Sequence, residues 1–202
     1  MTILRNPKTI SRETRASAKL LELHSHGETY TPAEKQLVID HVNRGGSLLT
    51  VIDEECRTPL VENGINTLLE PFGMSYSADT DYLHNCGALA KGGLINLADR
   101  EIPYSGGRSI TGGTPFFWRI DQEGQLREAH AAYHITEGGG KIVALAEAMV
   151  YMLMGTPHGV RLSGVYRDPS QTTYWGKDSH VFMDEVRQWL LNSHAFGTFG
   201  TK

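Results

Sequence analysis

Three sets of residues have types and spacings that could do chemistry. Cys56 follows three acids, Asp53, Glu54 and Glu55, and precedes Arg57. A cysteine works as a nucleophile when a base lies within hydrogen-bonding reach, and His158, in Thr156-Pro157-His158-Gly159, is the nearest histidine after the late core strand. Glu147 directly follows that strand. If it converges with Asp53 or Glu54, one carboxyl is pushed toward proton transfer. A second set is His24 and His26, spaced H-x-H. With Asp53 they offer imidazole and carboxylate donors that suit zinc or iron. The simpler reading is a pair of surface histidines beside a turn and a small cysteine without chemistry, which leaves the chain without a cofactor. The third set is aromatic. Tyr166, Arg167, Tyr174, Trp175 and Lys177 share a long polar stretch with His158 and Arg161, and exposed aromatics suit sugar or protein recognition.

These residues need elements to position them. In 31–56, Thr31 can cap a helix, Pro32 suits its first position, and Glu34 stands where a capping-box partner belongs. Leu37, Val38 and Val42 mark its apolar stripe, and Gly45-Gly46 stops it. Ser47 to Ile52 then reads as a strand covered on both faces, so Asp53, Glu54 and Cys56 fall beyond its carboxyl end, where open α/β sheets bind ligands. Further strands are expected at Thr2–Leu4, Lys19–Leu23, Phe116–Ile120, Ala129–Ile135 and Lys141–Ala146. A helical segment should start at Thr58-Pro59 and be clearest over Ile65–Glu70. Asp178 or Ser179 should cap a last helix with Val181, Phe182, Val186, Trp189 and Leu190 on one face. Alternating strands and helices predict βαβ units, hence a mostly parallel α/β sheet with a loop-rich middle between Asp79 and Thr114.

Composition sets the bounds. A chain of 202 residues is expected to form a single domain over 1–202. A net charge of −4 gives no electrostatic case for nucleic acid, which would call for a basic face, and no apolar run approaches the ~20 residues of a membrane span. Two cysteines, Cys56 and Cys86, do not make a disulfide framework, and the N-terminus has no apolar signal core, so a cytoplasmic location is expected. The glycine pairs suggest turns. Gly106-Gly107-Arg108-Ser109 could present amides and a guanidinium to an anion but lacks a strand-to-helix context. Gly138-Gly139-Gly140-Lys141 is no P-loop.

The segments "TPAE…VNRGGSLLTVIDEE", "NTLLEPFGM", "GGGKIVALAEA" and "WGKDSHVFMDEVRQWLL" occur in an order that resembles the class I glutamine amidotransferase-like superfamily. The likeness is to a non-catalytic-looking branch that includes domains of intraflagellar-transport and gliding-motility proteins, and it spans Lys19 to Leu191. It implies a flavodoxin-like three-layer α/β/α sandwich. In the active family the cysteine sits on a tight turn flanked by glycines and answers to a late His-x-Glu pair. Here Glu54, Glu55, Arg57 and Thr58 flank Cys56, and alanine stands before Glu147. The expectation is therefore a binding domain without amidotransferase activity. It would take a small polar ligand, carbohydrate included, or a protein partner, through His24, His26, Asp53, Glu54, Arg57 and Trp175. The competing expectation is a hydrolase, acting through Cys56 with a histidine or through a metal on His24, His26 and Asp53. A half-buried edge strand in the middle region would suit a homodimer.

Overall fold

A computed structural model describes residues 3–5, 10–24, 29–80, 88–102, 107–121, 123–146, 160–161, 174–175 and 177–192. Within these, the first third of the chain alternates strand and helix: β1 (Ile3–Arg5), α1 (Arg12–Ser17), β2 (Leu20–His24), α2 (Pro32–Asn43), β3 (Ser47–Val51) and α3 (Asn66–Leu69). The local chemistry of α2 is as its sequence predicts. Thr31 Oγ1 accepts from the Glu34 amide at 3.2 Å, and the Glu34 carboxylate accepts from the Thr31 amide at 3.0 Å, closing a capping box. At the other end Gly45 takes φ 92°, which a side chain would resist. A 3-10 turn, Glu70–Phe72, extends α3 to Gly73, whereas the residues between Thr58 and Gly64 form turns, so the expected helix there is confined to its last part.

Strands dominate the rest: β4 (Ser75–Asp79), β5 (Ala88–Ala90), β6 (Arg100–Ile102), β7 (Arg108–Thr111), β8 (Thr114–Ile120), β9 (Leu126–Ile135), β10 (Lys141–Leu145), β11 (Val160–Arg161) and β12 (Tyr174–Trp175). A long helix, α4 (Lys177–Leu191), follows and already includes the residues expected to cap it. Eight strands form one sheet in the order β1-β2-β3-β10-β9-β8-β5-β6. Its first four strands are parallel, with Ser47 opposite both Leu20 and Lys141. From β10 to β6 every pairing is antiparallel.

The expectation of a mostly parallel flavodoxin-like sandwich is therefore corrected to a mixed α/β sheet, antiparallel over its larger part. The physical reason lies in the connections. Parallel neighbours need a crossover, usually helical, but tight turns join β8 to β9 and β9 to β10. At the first, the Asp121 carboxylate gathers the amides of Glu123 and Gln125 at 3.0 and 2.8 Å. At the second, Thr136 and Gly140 close the turn.

Both sheet faces are covered. On one, Leu20, Leu49, Val51, Val143 and Leu145 pack with Phe116, Phe117 and the α4 residues Phe182, Met183, Val186, Trp189 and Leu190. On the other, Leu21, Leu23, Leu48 and Ile142 pack with Val38 and Val42 of α2, Leu68 and Leu69 of α3, and Tyr76 and Ile110 of the β4–β7 pair. Each fully buried Leu, Val or Phe contributes about 1.5–3 kcal/mol over its exposed state, so α4 docks through its five core residues. Two polar clamps fix its angle. Arg100 and Asn96 grip Glu185 at 2.6 and 2.8 Å, and Arg187 reaches the wholly buried Glu22 of β2 at 2.7 Å. No helix among the described residues is long and apolar enough to cross a membrane.

Candidate functional site

The carboxyl ends of β3 and β10 meet the end of β4 and the start of β7. Ile52 N donates to Leu145 O, Arg108 N to Ala146 O, and Thr80 N to Gly107 O. These bonds place the 53–60 loop, Asp79 and Arg108 on one rim. The loop begins as a turn: Asp53 Oδ1 accepts from the Glu54 amide at 2.8 Å, and Glu54 O accepts from the amides of Arg57 and Thr58.

Arg108 organises the rim. Its side chain is fully buried. Nε donates to Asp53 O at 2.8 Å, and Nη2 donates to Thr58 O at 2.7 Å and to the Glu55 carboxylate. Nη1 lies 3.4 Å from Ser77 O and 3.7 Å from the Asp79 carboxylate. Asp79 in turn takes the Glu55 amide at 2.9 Å, and Glu55 takes the Leu60 amide at 3.2 Å. The hydrogen bond from Arg108, followed by that from Leu60, holds the Glu55 carboxyl below its ordinary pKa. With its N–H groups directed at these acceptors, the guanidinium is a clamp within the chain and not the exposed anion receptor that Gly106-Gly107-Arg108-Ser109 suggested.

The Cys56 thiol is exposed, and its Sγ lies 3.7 Å from Glu54 Oε2. Glu54 itself is buried. Among the described residues no histidine nitrogen forms a hydrogen bond with that sulfur; His158 and Glu147 lie outside them. Asp53 Oδ2 pairs with Arg57 at 3.2 Å, which occupies the acid proposed as a metal ligand. His24 ends β2, opposite Val51, and His26 lies outside the described residues. No group of three metal-capable side chains is found among the described residues. Trp175 pairs with Val160 across β12 and β11. The structure thus brings Asp53, Glu54, Cys56 and Arg57 together in one loop.

Sequence reasoning missed three contributors: Arg108 as a clamp, Asp79, and His130. Arg108 had a readable signal, since it alternates with Ile110 along β7 and both are buried. His130 of β9 is completely buried. Its Nε2 is 3.3 Å from Thr80 Oγ1, and Thr80 is tied to Gly107 beside Arg108. Its Nδ1 has no partner among the described residues, and Phe117 lies edge-on to its ring. Burial, reinforced by the nearby Arg119 charge and opposed by Glu128, lowers its pKa to about 4. It is a neutral core residue that supports the rim from beneath. The rim can offer carboxylates and backbone groups on a preset loop, with an apolar tip at Val61, which is 89% exposed.

No family model matches the sequence, and no curated protein matches it. Among solved structures the chain is similar to the mmIFT52 N-terminal domain, with a TM-score of 0.63 and 19% identity over 91% of this chain and 82% of that one. It also matches Gan42B, a GH42 beta-galactosidase, with a TM-score of 0.44 and 17% identity over 63% of this chain and 19% of that one. The exo-beta-1,4-mannosidase Op5Man5 from Opitutaceae bacterium strain TAV5 matches with a TM-score of 0.37 and 14% identity, over 63% and 20% of the two chains. The first likeness is one of fold.

Proposed function

We propose that the chain is a single amidotransferase-like domain without amidotransferase chemistry, and that it binds a protein partner at the carboxyl-edge rim. The fold likeness to the mmIFT52 N-terminal domain supports the intraflagellar-transport branch that the motif order resembles. The observation that carries the reading is the rim itself. Arg108 fixes the 53–60 loop in advance, so little ordering cost remains on association, and Val61 presents a bare apolar group beside charged neighbours. Among the described residues the Cys56 sulfur is partnered by the Glu54 carboxylate and by no histidine, the base that cysteine nucleophiles commonly use. The sites assigned to this reading are Asp53, Arg57 and Val61; Glu54 is buried and belongs to the loop's own framework.

Thiol labelling with elemental analysis on the purified protein tests the non-enzymatic half. In a Cys86→Ser background, Cys56 should label at the rate of an ordinary exposed thiol, with no stoichiometric zinc or iron. A hyper-reactive Cys56 or bound metal would restore the hydrolase reading. Crosslinking tests the other half. A defined protein captured by the wild type should be lost with Val61→Lys and kept with Arg44→Glu on the opposite edge. Saturable carbohydrate binding that Asp53→Asn abolishes, with Val61→Lys silent, would replace the protein partner by a small polar ligand.

A further inference from the structure

At the amino edge of the sheet, opposite the rim, lies a cavity of about 550 Å3. It is set between the carboxyl ends of α2 and α4 and the starts of β3 and β10, with Lys19, His41, Arg44, Ser47, Gly138 and Lys141 in its wall. Its size falls within the range of small-molecule sites, about 300–1,000 Å3. Every formally charged residue in the described wall is basic: Lys19, Arg44 and Lys141. In a chain of net charge −4 this is a local inversion of sign, and a concave surface of one sign focuses potential on its mouth.

Helix ends account for part of this charge. Lys141 Nζ donates to Trp189 O at 2.7 Å and Asn192 O at 2.8 Å while lying 4.5 Å from the centre of the Trp189 ring, so it neutralises the carboxyl end of α4. Arg44 returns Nε to Asp40 O and Nη2 to the Asp40 carboxylate, which leaves Nη1 outside both bonds. The Lys19 ammonium is exposed and makes no hydrogen bond or ion pair with the described residues. After these bonds, Lys19 remains as surplus positive charge at this mouth, and Arg44, ion-paired with Asp40, keeps one guanidinium nitrogen outside that pair. Glycines 45, 46, 138 and 139 bring bare backbone to the same wall. His41 is held there with Nε2 3.2 Å from Ser47 O, and its ring lies against Gly46.

We propose that this cavity binds a small phosphate-bearing molecule, with the Lys19 ammonium and the Arg44 fork on its oxyanions and Lys141 as a fixed charge behind them. Cations from three separate elements favour a polyanion, and a guanidinium fork matches phosphate geometry. The site is independent of the rim at the other edge.

The test is an amide NMR titration of the full chain with pyrophosphate at constant ionic strength. Saturating shifts are expected at Gly45, Gly46, Gly138 and Gly139. The exposed pair Lys19→Glu with Arg44→Glu should weaken binding at least tenfold, and Lys19→Gln with Arg44→Gln should give an intermediate loss with unchanged thermal unfolding. The proposal is overturned if no shift saturates, if sodium chloride reproduces the shifts, or if the double variants bind unchanged. Equally tight citrate binding would remove the preference for phosphate, and much tighter binding of a phosphoserine peptide would replace the small molecule by a protein.

Discussion

The guanidinium of Arg108, wholly buried at the start of β7, is ion-paired with Glu55, a half-exposed residue of the β3 exit loop. The contact is lopsided, because the arginine also serves the Asp53 and Thr58 carbonyls, which have few other ways to be satisfied. Replacing the two partners should therefore have unequal effects. Arg108→Met is expected to cost about 3 kcal/mol or more, since it strands buried acceptors. Glu55→Gln should cost far less than the arginine replacement, because the carboxylate is half in water and screened. Urea unfolding of both variants checks this, and equal losses would refute the clamp.

Glu22 gives a second asymmetry. It is fully buried on β2 between Arg5, 54% exposed, and Arg187, 14% exposed. Glu22→Ala should destabilise by about 3–5 kcal/mol, because Arg187 is left desolvated. Arg5→Ala should cost about 1 kcal/mol at most, since water screens it. A double-mutant cycle would separate the two contributions, and a larger coupling for Arg5 would contradict the burial.

His130 makes stability depend on pH. Its folded pKa, about 4, lies below the ordinary value of 6.5, so the unfolded chain takes up a proton that the native core refuses. The associated stability is complete above pH 6.5 and is lost as pH falls toward 4, amounting to roughly 3 kcal/mol. Chemical denaturation of the wild type and of His130→Leu between pH 7 and 4.5 reads the difference. The variant should show a shallower fall over that window, and parallel curves would show that the imidazole is not responsible.

Lys141 closes α4 from below. Lys141→Met keeps the length of the side chain but removes two donors from the Trp189 and Asn192 carbonyls. A loss of about 2 kcal/mol is expected, together with faster hydrogen exchange over the last turn of α4. Unchanged exchange there would mean that water serves those carbonyls equally well.

What could be read in the sequence was local. The Thr31–Glu34 cap, the Gly45 stop and the doubly covered strands β2, β3 and β10 depend on neighbours within a few residues or on an unbroken apolar run. Strands near β8 and β9 were expected, but their antiparallel pairing was not, because the alternating signal of a hairpin is interrupted. Register shifts in the β8–β9 pair bury the consecutive residues Phe116 and Phe117, which erases the two-residue alternation that marks a half-exposed strand. The address of the rim was also legible, since Asp53 to Arg57 had to follow a core strand. The identity of its clamp was not, because Arg108 is brought to Asp53 by long-range contacts, the pairing of β4 with β7 and its own amide bond to Ala146 O.

The position of β10 has a kinetic consequence. This strand is the seam of the sheet, parallel to β3 on one side and antiparallel to β9 on the other. β3 ends at Val51, yet its partner begins only at Lys141, so the intervening chain must be brought into a closed loop before the central pair can form. On the ribosome, β1 to β3 emerge long before that partner, with the β3 edge still bare. Such a high contact order predicts slow folding in which closure of the seam, rather than formation of any single helix, sets the rate.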